Sequence, residues 1–495
     1  MENNNEIRID ENLLPLIPSN YAIEHFLIPV RLESENLYVA MVNDDDFALL
    51  QELMVITGKN VFPLIYEKEK ILTAIKKYYK VNISTVNNKK KVDEFKIITK
   101  TIEQYQESKE IKDDLSIIIH INEIITKAIN EGASDIHFEP YEKRFRVRFR
   151  LDGKLREIYQ LPIEKKFAYI SRLKIMSELD IAEKRRPQDG RIRMQGGRKV
   201  VDIRVSTMPT DFGEKVVLRI LDKSNITLDI DKIGFTEAME NEFKKALQSP
   251  YGMILVTGPT GSGKTTTLYT ALNFLNKSDV NIMTIEDPIE YNLDGINQAH
   301  VKPEIGFTFA NALRSFLRQD PDIIMVGEIR DSETAEIAIR SALTGHLVLS
   351  TLHTNDAPLA ITRLVDMGIE PFLVATSLRI VIAQRLVRKI CPFCKERYTV
   401  DDNLLNRLGL SEKTELYRGK GCDYCNGTGY SGRTAVIEML PITEKIADLI
   451  MAGASANRIR KEATKNGMLT LREHGLVKIK EGETTMDEVL RETMV

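Results

Sequence analysis

The chain has 495 residues, a length that predicts about three domains. Hydrophobic residues make up 43% and charged residues 28%, a balance that excludes a chain disordered throughout. Lys and Arg total 69 against 72 Asp and Glu, a formal net charge of −3; with no global field to grip a polyanion, nucleic acid is not an expected partner.

From residue 1 to about 80 the pattern is that of a small α/β module. Leu37–Val42 is strand-like and ends in Asn43-Asp44-Asp45-Asp46, while Phe47–Thr57 and Lys68–Tyr79 have helical spacing. The first residues (Glu2, Glu6, Asp10, Glu11) are acidic and carry no apolar stretch, so no secretory signal is expected. No run of about 18 apolar residues suggests a membrane span, and the chain is expected in the cytosol. A polar stretch, 81–113, centred on Asn87-Asn88-Lys89-Lys90-Lys91, reads as a linker.

A second module is expected over 114–223. In Arg144-Phe145-Arg146-Val147-Arg148-Phe149-Arg150-Leu151 the apolar residues share one strand face and the arginines the other, before an Asp152-Gly153 turn. Like charges along a strand repel, so that face meets carboxylates, phosphates, another domain or solvent. Gln188-Asp189-Gly190-Arg191 reads as a hairpin turn, and Val201–Val205 as a strand with Arg204 on its polar face.

The region 224–495 alternates β-rich and helical runs, as in an α/β domain with a mainly parallel sheet. Met253–Thr257 is a buried-type strand leading into Gly258-Pro259-Thr260-Gly261-Ser262-Gly263-Lys264-Thr265 and a helix through Thr266, Leu268 and Leu272. This is G-x-x-x-x-G-K-[ST] between a strand and a helix, the arrangement that closes backbone N–H groups on phosphates. Residues Gly258 to Thr266 are therefore the expected ATP-binding set. Lys264 is expected to reach the β- and γ-phosphates, and the Thr265 hydroxyl a Mg²⁺ ion.

Asp322–Val326 is a second strand, ending in Gly327-Glu328-Ile329-Arg330-Asp331. Gly327 stands where many phosphate-loop enzymes carry a Mg²⁺-binding Asp, which makes Glu328 the candidate for polarising the attacking water. Thr284–Tyr291 places Glu286, Asp287 and Glu290 after a short strand, and His346 and His353 flank another. From spacing alone, Glu286 and His353 are as consistent with structural roles as with the site. Last come the only cysteines, Cys391-Pro392-Phe393-Cys394 and Cys422-Asp423-Tyr424-Cys425, with 27 residues between the pairs. Two such knuckles close a tetrahedral thiolate shell, which predicts a structural zinc ion within a module over 388–428.

Taken in order, the phosphate loop, Thr284–Tyr291, Gly327–Asp331, the two-histidine stretch Thr344–Asp356 and the tetracysteine insert resemble the secretion-type hexameric ATPases of type II secretion and type IV pilus assembly. The resemblance runs from about Leu14 to Thr493. It implies a cytosolic homohexameric ring, a RecA-like motor domain behind two small N-terminal domains, and docking on an inner-membrane platform protein and cytosolic accessory proteins. It also implies that ATP turnover drives pilin subunits into a filament, and that Arg150 and Arg172 reach the nucleotide as charge-neutralising arginines. Under it Glu286 and His353 become site candidates. The tetracysteine insert favours an assembly motor over a retraction motor, which lacks it. The repeated Leu-Gly-x-x-Leu segment with which longer relatives bind cyclic di-GMP is not found, so that ligand is not expected. Alternatives are a type II secretion or competence pseudopilus motor, a nucleic-acid translocase, or a nucleotide-gated scaffold.

Overall fold

The computed structural model describes residues 7, 9–17, 21–22, 25–33, 35–42, 49–50, 53–54, 57–79, 96–97, 111–196, 199–221, 228–399 and 415–493. They fall in two compact units, Met1–Val92 and Asp93–Val495. The first holds β1 (Ile28–Glu33), β2 (Asn36–Met41) and β3 (Asn60–Ile65), with β2 antiparallel to β1 and parallel to β3. The helix Lys68–Tyr79 buries Ile71, Ala74 and Ile75, one stripe at helical spacing, in the same core as Leu37 and Val39. Of Phe47–Thr57 the described residues are helical, and the run Asn43–Asp46 lies outside them.

The second unit opens with a seven-stranded antiparallel sheet, made of β4 (Lys96–Ile97), β5 (Asp135–Pro140), β6 (Phe145–Leu151), β7 (Lys154–Leu161), β8 (Gln188–Gly196), β9 (Lys199–Thr210) and β10 (Gly213–Leu221). Their order is β4-β8-β9-β10-β5-β6-β7. Phe145, Val147 and Phe149 face the helices Ile111–Asn130 and Lys166–Met176, where they bury with Ile121, Ile125 and Leu173. Lys96–Ile97, inside the expected linker, pairs with β8 at Gln195 and Met194. The rest of 81–110 lies outside the described residues.

The hairpin turn expected at Gln188–Arg191 does not form. Gln188–Arg191 is the opening of β8, with Asp189 opposite Ser206 and Gly190 opposite Val205. Gly190 answers a packing need instead of a turn: a Cβ there would lie 2.4 Å from the Ser177 carbonyl oxygen and 2.9 Å from Leu179 Cδ2. The Asp152-Gly153 turn does join β6 to β7, with φ of 46° and 83° at its two residues, the signature of a tight hairpin.

The rest of the second unit is built on β11 (Gly252–Thr257), β12 (Ile282–Glu286), β13 (Asn297–His300), β14 (Ile323–Val326), β15 (Leu347–Leu352), β16 (Leu378–Ile390) and, after a small ribbon of β17 (Lys395–Tyr398) with β18 (Leu416–Gly419), β19 (Tyr430–Pro441). Their order is β13-β12-β14-β15-β11-β16-β19, parallel except for the last pair. Every residue of β11, β14 and β15 is buried, because helices cover both faces of the sheet. Each such aliphatic side chain contributes about 1.5–3 kcal/mol on burial. The carboxyl ends of β11, β15, β14 and β12 therefore open side by side on one edge, where ligands of parallel sheets bind. Among the described residues no helix is long and apolar enough to cross a membrane.

Candidate nucleotide site and metal cluster

The phosphate loop follows β11 directly and ends where the helix Lys264–Leu275 begins. Gly263 sits at the cap of that helix with φ of 91°, and a Cβ there would lie 2.7 Å from Gln384 Nε2. Both facts demand glycine. The Lys264 ammonium donates to the carbonyls of Gly258 (2.8 Å) and Pro259 (3.1 Å), folded back over the loop it belongs to. Burial and the Arg385 guanidinium depress its pKa, while the Glu328 carboxylate raises it; burial dominates and the net shift is downward. Thr265 and Thr266 stand exposed in the first helical turn.

Three neighbours converge on this edge. The end of β14 is pinned by β15 hydroxyls: Ser350 donates to Val326 O and Thr351 to Gly327 O, each at 2.8 Å. Glu328, the next residue, lies 3.2 Å from His353 Nε2 and accepts from Arg330 at 2.5 Å. Burial would raise the Glu328 pKa, but Arg330 and then His353 outweigh it and hold the carboxyl below its ordinary value. Asp331 serves another end, capping the helix Ser332–Leu343 through Thr334 N at 2.7 Å.

Glu286 sits deeper. It is 3% exposed and accepts from Tyr269 OH, from Thr284 Oγ1 at 2.6 Å and from Gln298 Nε2 at 3.0 Å. These bonds tie the end of β12 to the helix that Lys264 opens. Burial and Glu286 together push the Tyr269 hydroxyl far above its usual range, so it stays a donor. Arg150 bonds within its own sheet, to Gly153 O at 2.9 Å and Asp135 at 3.3 Å. Arg172 lies on the helix Lys166–Met176.

Four residues of this region carry no sequence signal strong enough to single them out. Arg330 follows Glu328 by two positions, and Tyr269 lies in the middle of an ordinary helix. Gln384 and Arg385 come from β16: Gln384 accepts from Thr267 Oγ1 at 2.7 Å, and Arg385, 7% exposed, donates to Asn355 O at 2.9 Å. Only the pairing of β16 beside β11 brings them under the phosphate loop.

The cysteines converge as well. All four sulfurs lie within 4.8 Å of one another, with Cys391–Cys422 and Cys394–Cys425 at 3.8 Å and Cys422–Cys425 at 3.7 Å. A tetrahedron with metal–sulfur bonds of about 2.3 Å has edges of about 3.8 Å, so the donor set fits a zinc ion. The backbone N–H groups of Gly421, Cys422 and Gly429 point at the sulfurs. At Cys425 burial raises the thiol pKa, but the Cys422 and Gly429 N–H groups bring it down to about 6.

Residues 110–491 match the family described as "Type II/IV secretion system protein". The chain belongs to that family. Residues 2–84 match the MshEN domain. A type IV pilus assembly ATPase, PilB, of Myxococcus xanthus is 47% identical over 493 residues, covering 98% of this chain and 87% of the relative. The type II secretion system protein E of Dickeya dadantii is 50% identical over 382 residues, 77% of this chain and 76% of the relative. The crystal structure of the pilus retraction motor PilT with bound ADP superposes with a TM-score of 0.52 at 28% identity, covering 75% of this chain and 96% of the motor.

Proposed function

We propose that this chain is an ATPase motor whose turnover drives assembly of a type IV pilus or a closely related filament. The observation that carries the reading is the single sheet edge on which Lys264, at the mouth of a strand–loop–helix, meets the Glu328–His353 pair delivered by neighbouring strands. A nucleotide triphosphate lies with its phosphates over Gly258–Thr266. Lys264 leaves its two loop carbonyls for the β- and γ-phosphates, and the Thr265 hydroxyl is the protein ligand for Mg²⁺, which when bound neutralises developing phosphate charge.

Glu328 accepts the proton of the attacking water, and its depressed pKa keeps it ready to do so at neutral pH. His353, hydrogen-bonded to that carboxylate, orients it and reads whether the γ-phosphate is present. Glu286 acts by holding the phosphate-loop helix to β12. Arg150 and Arg172 approach the phosphates when the second domain closes on a nucleotide, in the same subunit or in a neighbour of a hexameric ring. The four cysteines hold a structural zinc ion that cross-links the module outside the reaction. The ring docks on an inner-membrane platform protein and cytosolic accessory proteins, at the cytoplasmic face of the membrane.

A type II secretion motor is the second reading. Near-full alignment favours the pilus: two pilus assembly relatives cover 98% and 95% of this chain, against 77% and 81% for two secretion relatives. The test is a chromosomal Glu328→Gln exchange with surface filaments imaged by electron microscopy. Loss of filaments at normal protein level is expected. Filaments that persist or accumulate would reassign the motor to retraction, transport or scaffolding.

A further inference from the structure

A charge held out of water is ordinarily paired with an opposite one. Among the described residues four lysines and arginines are buried: Lys174, Arg385, Arg388 and Lys478. Three of them obey the rule. Lys174 pairs with Glu214 at 2.5 Å, Arg388 with Glu488 at 2.6 Å and Lys478 with Glu483 at 3.3 Å. Arg385 has no carboxylate partner among the described residues. Its Nη1 donates to Gln384 O at 3.0 Å and its Nη2 to Asn355 O at 2.9 Å, both neutral acceptors. The carboxylates of this neighbourhood are engaged elsewhere. Asp356 accepts from Arg460 at 2.5 Å and from Leu359 N at 2.9 Å, and Glu438 accepts from Ala357 N at 2.9 Å. Burial also raises the Glu438 pKa, which weakens it further as a counter-ion.

This unneutralised guanidinium lies against the phosphate loop. Ala383 on β16 is opposite Thr257, the last residue of β11, so Arg385 comes just past the point where the loop begins. A Cβ on Gly258 would lie 3.2 Å from Arg385 Nη1 and 2.6 Å from Ser262 Oγ. Gly258, with φ of 149°, therefore lets both groups close on the first residue of the loop. The Ser262 hydroxyl is itself buried and has no hydrogen-bond partner. Lys264 holds the same glycine through its carbonyl at 2.8 Å. The two cations repel, and burial and then Arg385 depress the Lys264 pKa. Two positive groups and an unpaired hydroxyl meeting at one glycine are arranged for an anion.

We propose that Arg385 is a further phosphate-binding residue of this loop: its counter-ion is the phosphate chain of the nucleotide, and with Lys264 it sets the affinity for the triphosphate. Buried beside the loop, its charge attracts phosphate more strongly than an exposed lysine or arginine does across water. The total charge of the phosphate chain is the same in bound ATP and in the transition state. Arg385 therefore strengthens binding and leaves the chemical step to Glu328. The inference rests on the reading that this loop binds and hydrolyses ATP.

The test uses the full chain with Arg385→Gln, which removes the charge but keeps a donor, and Arg385→Lys, which keeps the charge. Affinities for MgATP and MgADP are titrated, kcat and KM are measured by phosphate release, and thermal melts check the fold. Arg385→Gln is expected to weaken MgATP binding about ten-fold or more, and MgADP binding by less, because the missing charge faces one phosphate fewer. KM should rise in step while kcat stays within about three-fold. Arg385→Lys should recover most of the MgATP affinity. Wild-type affinity in Arg385→Gln would overturn the inference. Equal losses for MgATP and MgADP, the mark of a loop displaced by lost packing, would overturn it too, as would a fall in kcat at constant KM. If Arg385→Gln does not fold, Arg385→Lys decides alone, and a ten-fold loss of MgATP affinity there would overturn a role that needs only charge. A wild-type chain that binds no nucleotide would instead defeat the ATPase reading itself, a result distinct from any difference between wild type and variants.

Discussion

Replacing Glu328 by Gln separates chemistry from folding. The amide has the size of the carboxylate and can still accept from Arg330, so the end of β14 keeps its shape. What is lost is charge: a pair with Arg330, whose side chain is 59% exposed, and a contact with a half-exposed His353. Such exposed pairs are worth about 0–1 kcal/mol, which shifts Tm by no more than about 4 °C in a domain of this size. Removing a general base costs about 10²–10⁴-fold in rate, or about 3–5 kcal/mol in the barrier. Steady-state phosphate release should therefore collapse while a fluorescent nucleotide still binds, since Lys264 and the loop amides are untouched. The pH profile gives a second check. The folded Glu328 carboxyl has a depressed pKa, so it remains a competent proton acceptor as pH falls and is lost only below the ordinary carboxylate value of 4.5. Turnover within about three-fold of wild type, with intact fold, would refute the role given to Glu328.

Gly263→Ala puts a side chain at φ of 91° and 2.7 Å from Gln384 Nε2; strain of about 1–3 kcal/mol at the loop itself should weaken nucleotide binding at least about five-fold in a titration. Purified protein should carry close to one zinc per chain by elemental analysis, and Cys422→Ser with Cys425→Ser should abolish it and loosen the surrounding module in hydrogen exchange. Retained metal in that variant would move the site elsewhere. His474, buried with Nδ1 accepting from Ile437 N at 2.9 Å, has its pKa lowered to about 4 from an ordinary 6.5. Between those values the unfolded chain binds the extra proton, so stability falls as pH drops from 6.5 to about 4 by up to about 3 kcal/mol. Thermal melts of wild type against His474→Gln across that range should differ in slope.

Local chemistry was legible in the sequence. Met253–Thr257 followed by Gly258–Thr265 names a phosphate loop because both its glycines and its flanking elements are consecutive in the chain, and period-two alternation placed Phe145, Val147 and Phe149 inside and the arginines outside. The two Cys-x-x-Cys pairs announced a four-sulfur cluster for the same reason, since each knuckle is local. What the chain order conceals is which strands lie side by side. The Asp189-Gly190 signal looks like a turn until β8 is seen packed against the Ser177 carbonyl, and Glu286 is as consistent with a structural role as with the site until Tyr269, Thr284 and Gln298 are found holding it. Arg385 and Gln384 reach the phosphate loop only because β16 pairs with β11, more than a hundred residues away in sequence. The bond from Arg204 on β9 to Glu290 after β12, at 2.9 Å, belongs to the same class. Spacing along a chain specifies backbone conformation and the face a side chain takes, whereas contacts between distant segments depend on sheet order and domain packing, which the sum of many weak burial terms decides together.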